Sequence, residues 1–295
     1  EPVLPIAIYL ILGYIFKIIY QDNSKQLIEF IIYFSLPGIV FSKIYPLVLD
    51  IKILNLILMF ISFILFNLLL AYFVGKMMKL NRILLATFMI MATFGNTSFI
   101  GFSYIEAFYG EDYIVYGLIY DLFGSFLLLV SIGMFIITWG AGKKNNITHI
   151  FKSIFLFPPS LMFFITILIN HFEVPIFLIL SSQTIGSTLV PIVMIAIGIK
   201  LELKHIFARF HIVSVAMILK MIVVPIIVLI GFHYFYGLNQ TWVKVTIIEV
   251  AMPPMTMATV LAIKGGLDEK LAINSLVLGV LLSLLTITLY TSYLA

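Results

Sequence analysis

Asn96, Thr97 and Ser98 stand in the middle of one apolar run, and Pro253, Pro254 and Thr256 stand in the middle of another. Their chemistry is that of ending helices. Proline inside a helix removes a hydrogen bond and clashes with the preceding turn, and Gly95-Asn96-Thr97-Ser98 is a run of poor helix formers. In hydrocarbon an unpaired backbone group costs several kcal/mol, so such breaks persist only where protein or water covers them. Half-helices restarting after Asn96 and after Pro254 aim their N-termini at the breaks. Each N-terminus has roughly half a positive charge and free N–H donors. A carboxylate is the ligand that suits them.

Ionisable residues lie at similar depth. Glu249 is four residues before Pro253, and Asp121 and Lys220 also fall inside apolar stretches. A charge at bilayer centre costs about 2.5–3.5 kcal/mol even on a lenient scale, so such residues face a cavity or a partner. On a functional reading Glu249 and Asp121 hold a coupling proton or sodium ion. Lys220 then attracts an anionic substrate or supplies a counter-charge. On a structural reading the three form a Lys–carboxylate pairing that holds helices together. Glu106 lies near enough to an interface to snorkel. Gln183, Asn274 and Ser187-Thr188 read as hydrogen-bonding links between helices.

The elements that must position these residues are membrane spans. The chain is 63% hydrophobic and 10% charged, with mean hydropathy +1.20, so lipid is its solvent. Its 295 residues suffice for about ten helices of 20–25 residues and leave no room for a soluble domain. Long apolar runs without period-2 alternation exclude an outer-membrane barrel. The spans are expected at 3–20, 27–44, 53–75, 83–109, 113–139, 150–170, 176–199, 210–234, 240–263 and 271–293. The opening Glu1-Pro2-Val3 lacks a basic region and cleavage site, so the first span is expected to be retained. There is no cysteine, hence no disulfide or thiolate chemistry. The pI near 9.1 reflects Lys and Arg collected in loops on one face, and nucleic acid is not an expected partner.

The punctuation repeats. Pro5 recurs as Pro158-Pro159, Pro37 as Pro191, and Gly110-Glu111-Asp112 as Gly266-Leu267-Asp268, at offsets of 153 to 156. The same offset carries Asn96 to Met252, beside Pro253, and Asn67 to Lys220. Five spans per half, an odd number, invert the second half relative to the first. The expected fold is therefore an all-α membrane protein with a 5+5 inverted repeat and two broken, crossing helices, spans four and nine. The division is 1–139 for the first repeat, 140–149 for a connector and 150–295 for the second repeat. Of the seventeen basic residues thirteen fall in odd-numbered loops, which places those loops in the cytoplasm and both termini outside it.

These residues resemble the auxin efflux carrier family, which includes bacterial organic-acid carriers. The resemblance covers essentially the whole chain. It rests on Gly95-Asn96-Thr97-Ser98-Phe99-Ile100-Gly101 followed by Tyr109-Gly110, on Ser35-Leu36-Pro37, on Val190-Pro191 with Gly198, and on Ala251-Met252-Pro253. It implies a fold related to the sodium/bile-acid symporters, with spans one, two, six and seven as a scaffold and the other six as a mobile core. It also implies a homodimer built through the scaffold, placement in the inner (plasma) membrane, and substrate carboxylate binding where Asn96 and Pro253 mark the crossing. Ser98 stands where the family commonly has glycine and Ser103 where it often has proline, so substrate identity does not carry over.

The reading that results is a secondary carrier of small organic anions, mono- or dicarboxylates, working by alternating access. Its candidate substrate residues are Asn96, Thr97, Ser98, Pro253, Pro254, Thr256 and Lys220; its coupling residues are Glu249 and Asp121. No cofactor is expected beyond a coupled sodium ion or proton. A cation/proton antiporter using Asp121 and Glu249 is the alternative. A membrane-embedded enzyme is remote: the sequence has no His-Glu-x-x-His, no Gly-x-Ser-x-Gly and no paired aspartate motif.

Overall fold

The computed structural model describes residues 3–20, 24–46, 51–142, 156–200 and 209–294. Among them the chain is helical. Six helices are long and apolar enough to cross a membrane. These are α2 (Ser24–Ile44), α3 (Ile51–Met77), α6 (Glu111–Ala141), α8 (Ile176–Ile199), α9 (Phe210–Phe235) and α12 (Glu269–Leu294). Shorter helices accompany them: α1 (Val3–Ile19), α4 (Arg82–Thr93), α5 (97–109), α7 (Pro158–Ile169), α10 (Thr241–Val250) and α11 (Thr256–Gly265).

The expected span boundaries agree with these helices to within a few residues where the residues are described. Of the sixth span, expected at 150–170, residues 150–155 lie outside the described residues, and α7 begins at Pro158. Phe157 is held extended, at φ −70° and ψ 121°, because the residue before a proline is driven out of the helical region. Pro158 then occupies the first helical turn, where its missing N–H costs nothing. Of the 140–149 connector, Gly140–Gly142 close α6, with Gly142 in the left-handed conformation at φ 73°. Residues 143–149 lie outside the described residues, as do Lys152 and Lys204.

Prolines inside spans reshape the helices locally. Ahead of Pro37, α2 widens into a π turn over Ile31–Ser35; ahead of Pro225, α9 does the same over Leu219–Val223. Each proline lacks an N–H and crowds the preceding turn, and the wide turn absorbs the mismatch. Lys220 rides on the second of these turns. A third π turn, Tyr120–Phe126 in α6, carries Asp121.

Lipid chains are as apolar as leucine, so helices here associate by close packing rather than by the hydrophobic effect. The tightest approach joins α1 to the second half of α8, where Gly13 and Gly198 face one another's backbone. α2 packs on α7 and on the first half of α8. On the other side, α4 packs against α3 and α6, and α12 against α4, α9 and α11. The four helices α1, α2, α7 and α8 thus form one packed group, and the broken helices pack with α3, α6, α9 and α12.

A side chain at Gly198 would run into the Leu10 carbonyl and the Gly13 Cα. Gly198→Val is therefore expected to cost about 1–3 kcal/mol through overpacking. The readout is a lowered thermal unfolding midpoint in detergent; an unchanged midpoint would show that α1 and α8 do not depend on this contact.

Candidate functional site

Both expected helix breaks are present and they meet. After Thr93 the chain extends at Phe94 (φ −82°, ψ 115°), and after Val250 it leaves the helix through Ala251 to Met255. The two extended pieces run antiparallel and pair through a bridge between Gly95 and Pro254. Asn96 N–H donates to the Pro253 carbonyl at 2.7 Å, and Met255 N–H donates to the Phe94 carbonyl at 2.9 Å. Each break satisfies backbone groups that the other leaves open, as buried polar backbone requires.

Four helix ends converge on this crossing, and side chains from intact helices cap them. At the C-terminal end of α4 the amide of Asn67 (α3) donates to the Ala92 carbonyl at 3.0 Å. At the C-terminal end of α10 the Lys220 ammonium (α9) donates to the Val250 carbonyl at 2.9 Å. A cation is the favoured occupant of a helix C-terminus. Lys220 is 2% exposed and makes no ion pair with Glu249 among the described residues. Its ammonium fills the space beside Gly95, where an added Cβ would lie 3.1 Å from it.

At the N-terminal end of α5 the occupant is Asp121. Its carboxylate accepts the Thr97 hydroxyl at 2.5 Å and both the hydroxyl and backbone N–H of Ser98. The positive end of α5 therefore already holds a carboxylate supplied by the protein itself. The N-terminus of α11 is different. The amides of Thr256, Met257 and Ala258 belong to its first turn and have no helical acceptor. Asn96 donates its side-chain amide to the Thr256 hydroxyl at 3.1 Å, which ties α5 to α11 at this end.

A cavity of about 160 Å³ opens against this pair of N-termini. Its polar lining comes from Asn96, Ser98, Asp121 and Thr256. Apolar residues supply the rest: Ile28, Ile32 and Leu36 from α2, Phe126 from α6, Phe157 ahead of α7, and Val260 from α11. One wall thus belongs to the α1/α2/α7/α8 group and the floor to the crossing.

Of the sequence candidates, Asn96, Ser98, Thr256 and Asp121 line the cavity together. Thr97 is fully buried on Asp121. Pro253 and Pro254 shape the crossing and press on Gly279 of α12, where an added Cβ would sit 2.5 Å from Pro254 Cδ. Lys220 lies behind the crossing on the α10 carbonyl and is not among the residues lining the cavity. Glu249 is also outside it. Its side chain is 0% exposed and, among the described residues, neither carboxylate oxygen has a hydrogen-bond partner. It points at Gly101 and Gly117, where added Cβ atoms would come within 2.5 Å and 2.7 Å of its oxygens. Asp121 and Lys220 are the charged groups acting on it. Sequence reasoning missed Gly117, Gly279, Pro225 and the α2 wall. Pro225 had a signal, a proline five residues beyond a buried lysine; Ile28 and Ile32 had none, being ordinary apolar positions, and Leu36 stood only within the Ser35-Leu36-Pro37 motif.

If Lys220 serves as the cap of α10, Lys220→Met should strand the Val250 carbonyl and cost about 1–3 kcal/mol. Lys220→Gln retains an N–H donor and should cost less. Thermal unfolding in detergent orders the three proteins, and equal midpoints for wild type and Lys220→Met would show that the bond carries no stability.

The pattern of a family described as membrane transport protein matches residues 1–291. An uncharacterized transporter of Methanocaldococcus jannaschii is 29% identical, with 98% of this chain and 97% of that protein aligned. An uncharacterized transporter of Methanothermobacter thermautotrophicus is 26% identical over 99% of this chain and 97% of its own length. The broken, paired helices and the likeness along the entire chain point the same way: this is a multi-pass membrane transporter and belongs to the membrane transport protein family, the auxin efflux carriers.

Proposed function

We propose that the protein is a secondary carrier of small organic anions, mono- or dicarboxylates, that binds its substrate in the cavity at the helix crossing. The observation that carries this reading is the uncapped N-terminus of α11 facing a small, mostly apolar cavity. Free amides and the positive helix end attract a carboxylate, and the apolar walls accept a short carbon chain. Asn96, Ser98 and Thr256 are its polar contacts; Pro253 and Pro254 create the helix end.

Asp121 gives the reason for coupling. It shares the cavity, and two carboxylates in a site of low dielectric repel each other. A proton or sodium ion held by Asp121 removes that repulsion, so anion and cation enter together. Glu249, buried without a donor, is the second place for such a cation.

The architecture in this proposal is the 5+5 inverted repeat of ten spans, with α1, α2, α7 and α8 as scaffold and dimer interface. Three features support it. Ser35 and Thr188, one offset apart in sequence, touch hydroxyl to hydroxyl at 2.8 Å, as residues on a twofold axis would. Asn67 and Lys220, also one offset apart, perform the same capping task. The cavity wall and floor come from the two different helix groups, so sliding one group past the other opens and closes the site. With the basic loops in the cytoplasm of an inner-membrane protein, the cavity opens inward. It lies on the α11 side of the crossing, towards Gly265.

Uptake by proteoliposomes, with a panel of small carboxylates and independent sodium and proton gradients, tests this. A saturable flux of one carboxylate class is expected, reduced about tenfold or more in Asn96→Ala through loss of a contact worth about 1.5–3 kcal/mol. Asp121→Asn should still bind the anion but lose its dependence on the cation gradient. The unpartnered Glu249 favours one other reading, a cation/proton antiporter. Silence with every anion, together with cation-driven pH changes abolished in Glu249→Gln, would establish it and overturn the carrier.

A further inference from the structure

The outer flank of α3 and α9 holds a groove that the transport site does not use. Two cavities, about 620 Å³ and about 610 Å³, share Met59 and Tyr236 as lining residues and so lie side by side as a groove along the protein surface. One end is polar, lined by Lys52, Asn55, Gln240 and Trp242. The other is apolar, lined by Phe63, Phe66, Ile227, Val228 and Phe235. We propose that this groove is a binding site for one anionic phospholipid, its head group at Lys52 and an acyl chain along Met59 to Phe66.

The dimensions fit. From Lys52 to Phe66 is fourteen residues of continuous helix, about 21 Å, which spans an interface and most of one leaflet. The floor is rigid: Phe232 is buried and packs edge-on against Phe63, Trp242 and Tyr236. Trp242 and Tyr236 sit at the polar end, the usual depth of aromatic anchors. Trp242 donates its indole N–H to the Gln240 side-chain oxygen, and the same amide keeps its N–H donors for a head group.

Gly231 gives a second, independent sign. It lies in α9 on the lining of the apolar end, where a glycine weakens a helix by about 1 kcal/mol relative to alanine. Gly110, Gly142 and Gly237 also have open space but sit at positive φ in turns, whereas the other glycines within the described helices sit where a Cβ would strike a neighbour. At Gly231 an added Cβ would meet nothing within 4 Å. Its effect is to leave room on the surface, and what fills that room in a membrane is an acyl chain.

Charge selects the head group. Lys52 supplies a positive charge at the mouth while keeping its other contacts. The acidic pair at the start of α6, Glu111 and Asp112, is engaged by Lys43 at 2.9 Å and 3.7 Å. A phosphodiester with net negative charge is therefore preferred over a zwitterionic head group. This proposal rests on the membrane location alone and stands whether or not the carrier carries anions.

Native mass spectrometry of the delipidated protein, titrated separately with phosphatidylglycerol and phosphatidylcholine, tests it, with thermal midpoints measured in parallel. One phosphatidylglycerol is expected to bind at least fivefold more tightly than phosphatidylcholine and to raise the midpoint. Lys52→Glu should abolish the preference. Gly231→Leu should displace both lipids without lowering the lipid-free midpoint, since the added side chain enters open space. Equal binding of the two lipids to the wild type would overturn the proposal, as would an undiminished preference in both variants. A dimer that Gly231→Leu dissociates would assign the groove to a second copy of the chain and overturn it too.

Discussion

A polypeptide cannot leave backbone polar groups unpaired at the centre of a membrane, and this protein has two helices that end there. Everything at the site follows from how that debt is met. The two breaks are extended and antiparallel because only that geometry lets Asn96 N–H reach the Pro253 carbonyl while Met255 N–H reaches the Phe94 carbonyl. A kink in one helix alone would leave these groups bare. The breaks are therefore a single paired unit contributed by residues about half a chain apart.

Once the breaks are paired, four helix ends with their partial charges lie together, and the protein fills them unequally. Asn67 and Lys220 cap the two negative ends, one with a neutral amide and the other with a cation. On the positive ends, Asp121 occupies α5, and the first turn of α11 faces a cavity. In the proposed repeat, Asp121 plus the offset of 153 is Asn274, an amide in the place of a carboxylate. Lys220 stands likewise at the position that corresponds to Asn67 in that proposed repeat. One positive helix end thus carries a carboxylate from the protein, and the other faces the cavity.

Wide turns supply the fine placement. The π turn before Pro225 carries Lys220 to the α10 carbonyl, and the π turn in α6 carries Asp121 to the amide of Ser98. Adding a residue to a turn rotates all that follows relative to what precedes it, so such insertions commonly mark functional positions. Glu249 is the carboxylate that stands outside this pattern of satisfied groups. It is enclosed by Gly101 and Gly117, close enough that neither position has room for a Cβ, and nothing donates to it. A buried carboxyl without partners is costly, and that cost is the observation behind its place in the proposed coupling.

The membrane class, the helix positions and the two breaks were legible in the sequence. They depend on local properties: apolar runs of spanning length, prolines, and short polar interruptions such as Gly95-Asn96-Thr97-Ser98. The spacing of Pro37, Pro191, Asn67 and Lys220 is likewise the sequence basis of the proposed repeat. Tertiary structure decided what each polar residue does. Asp121 and Lys220 looked alike in sequence, each a charge in an apolar span, yet one lines the cavity and the other lies behind the crossing on a carbonyl. Ile28 and Ile32 line the cavity although nothing in the sequence distinguishes them from lipid-facing residues. The reason is physical: a sequence records burial and periodicity along one helix, whereas a site is defined by which faces of different helices meet.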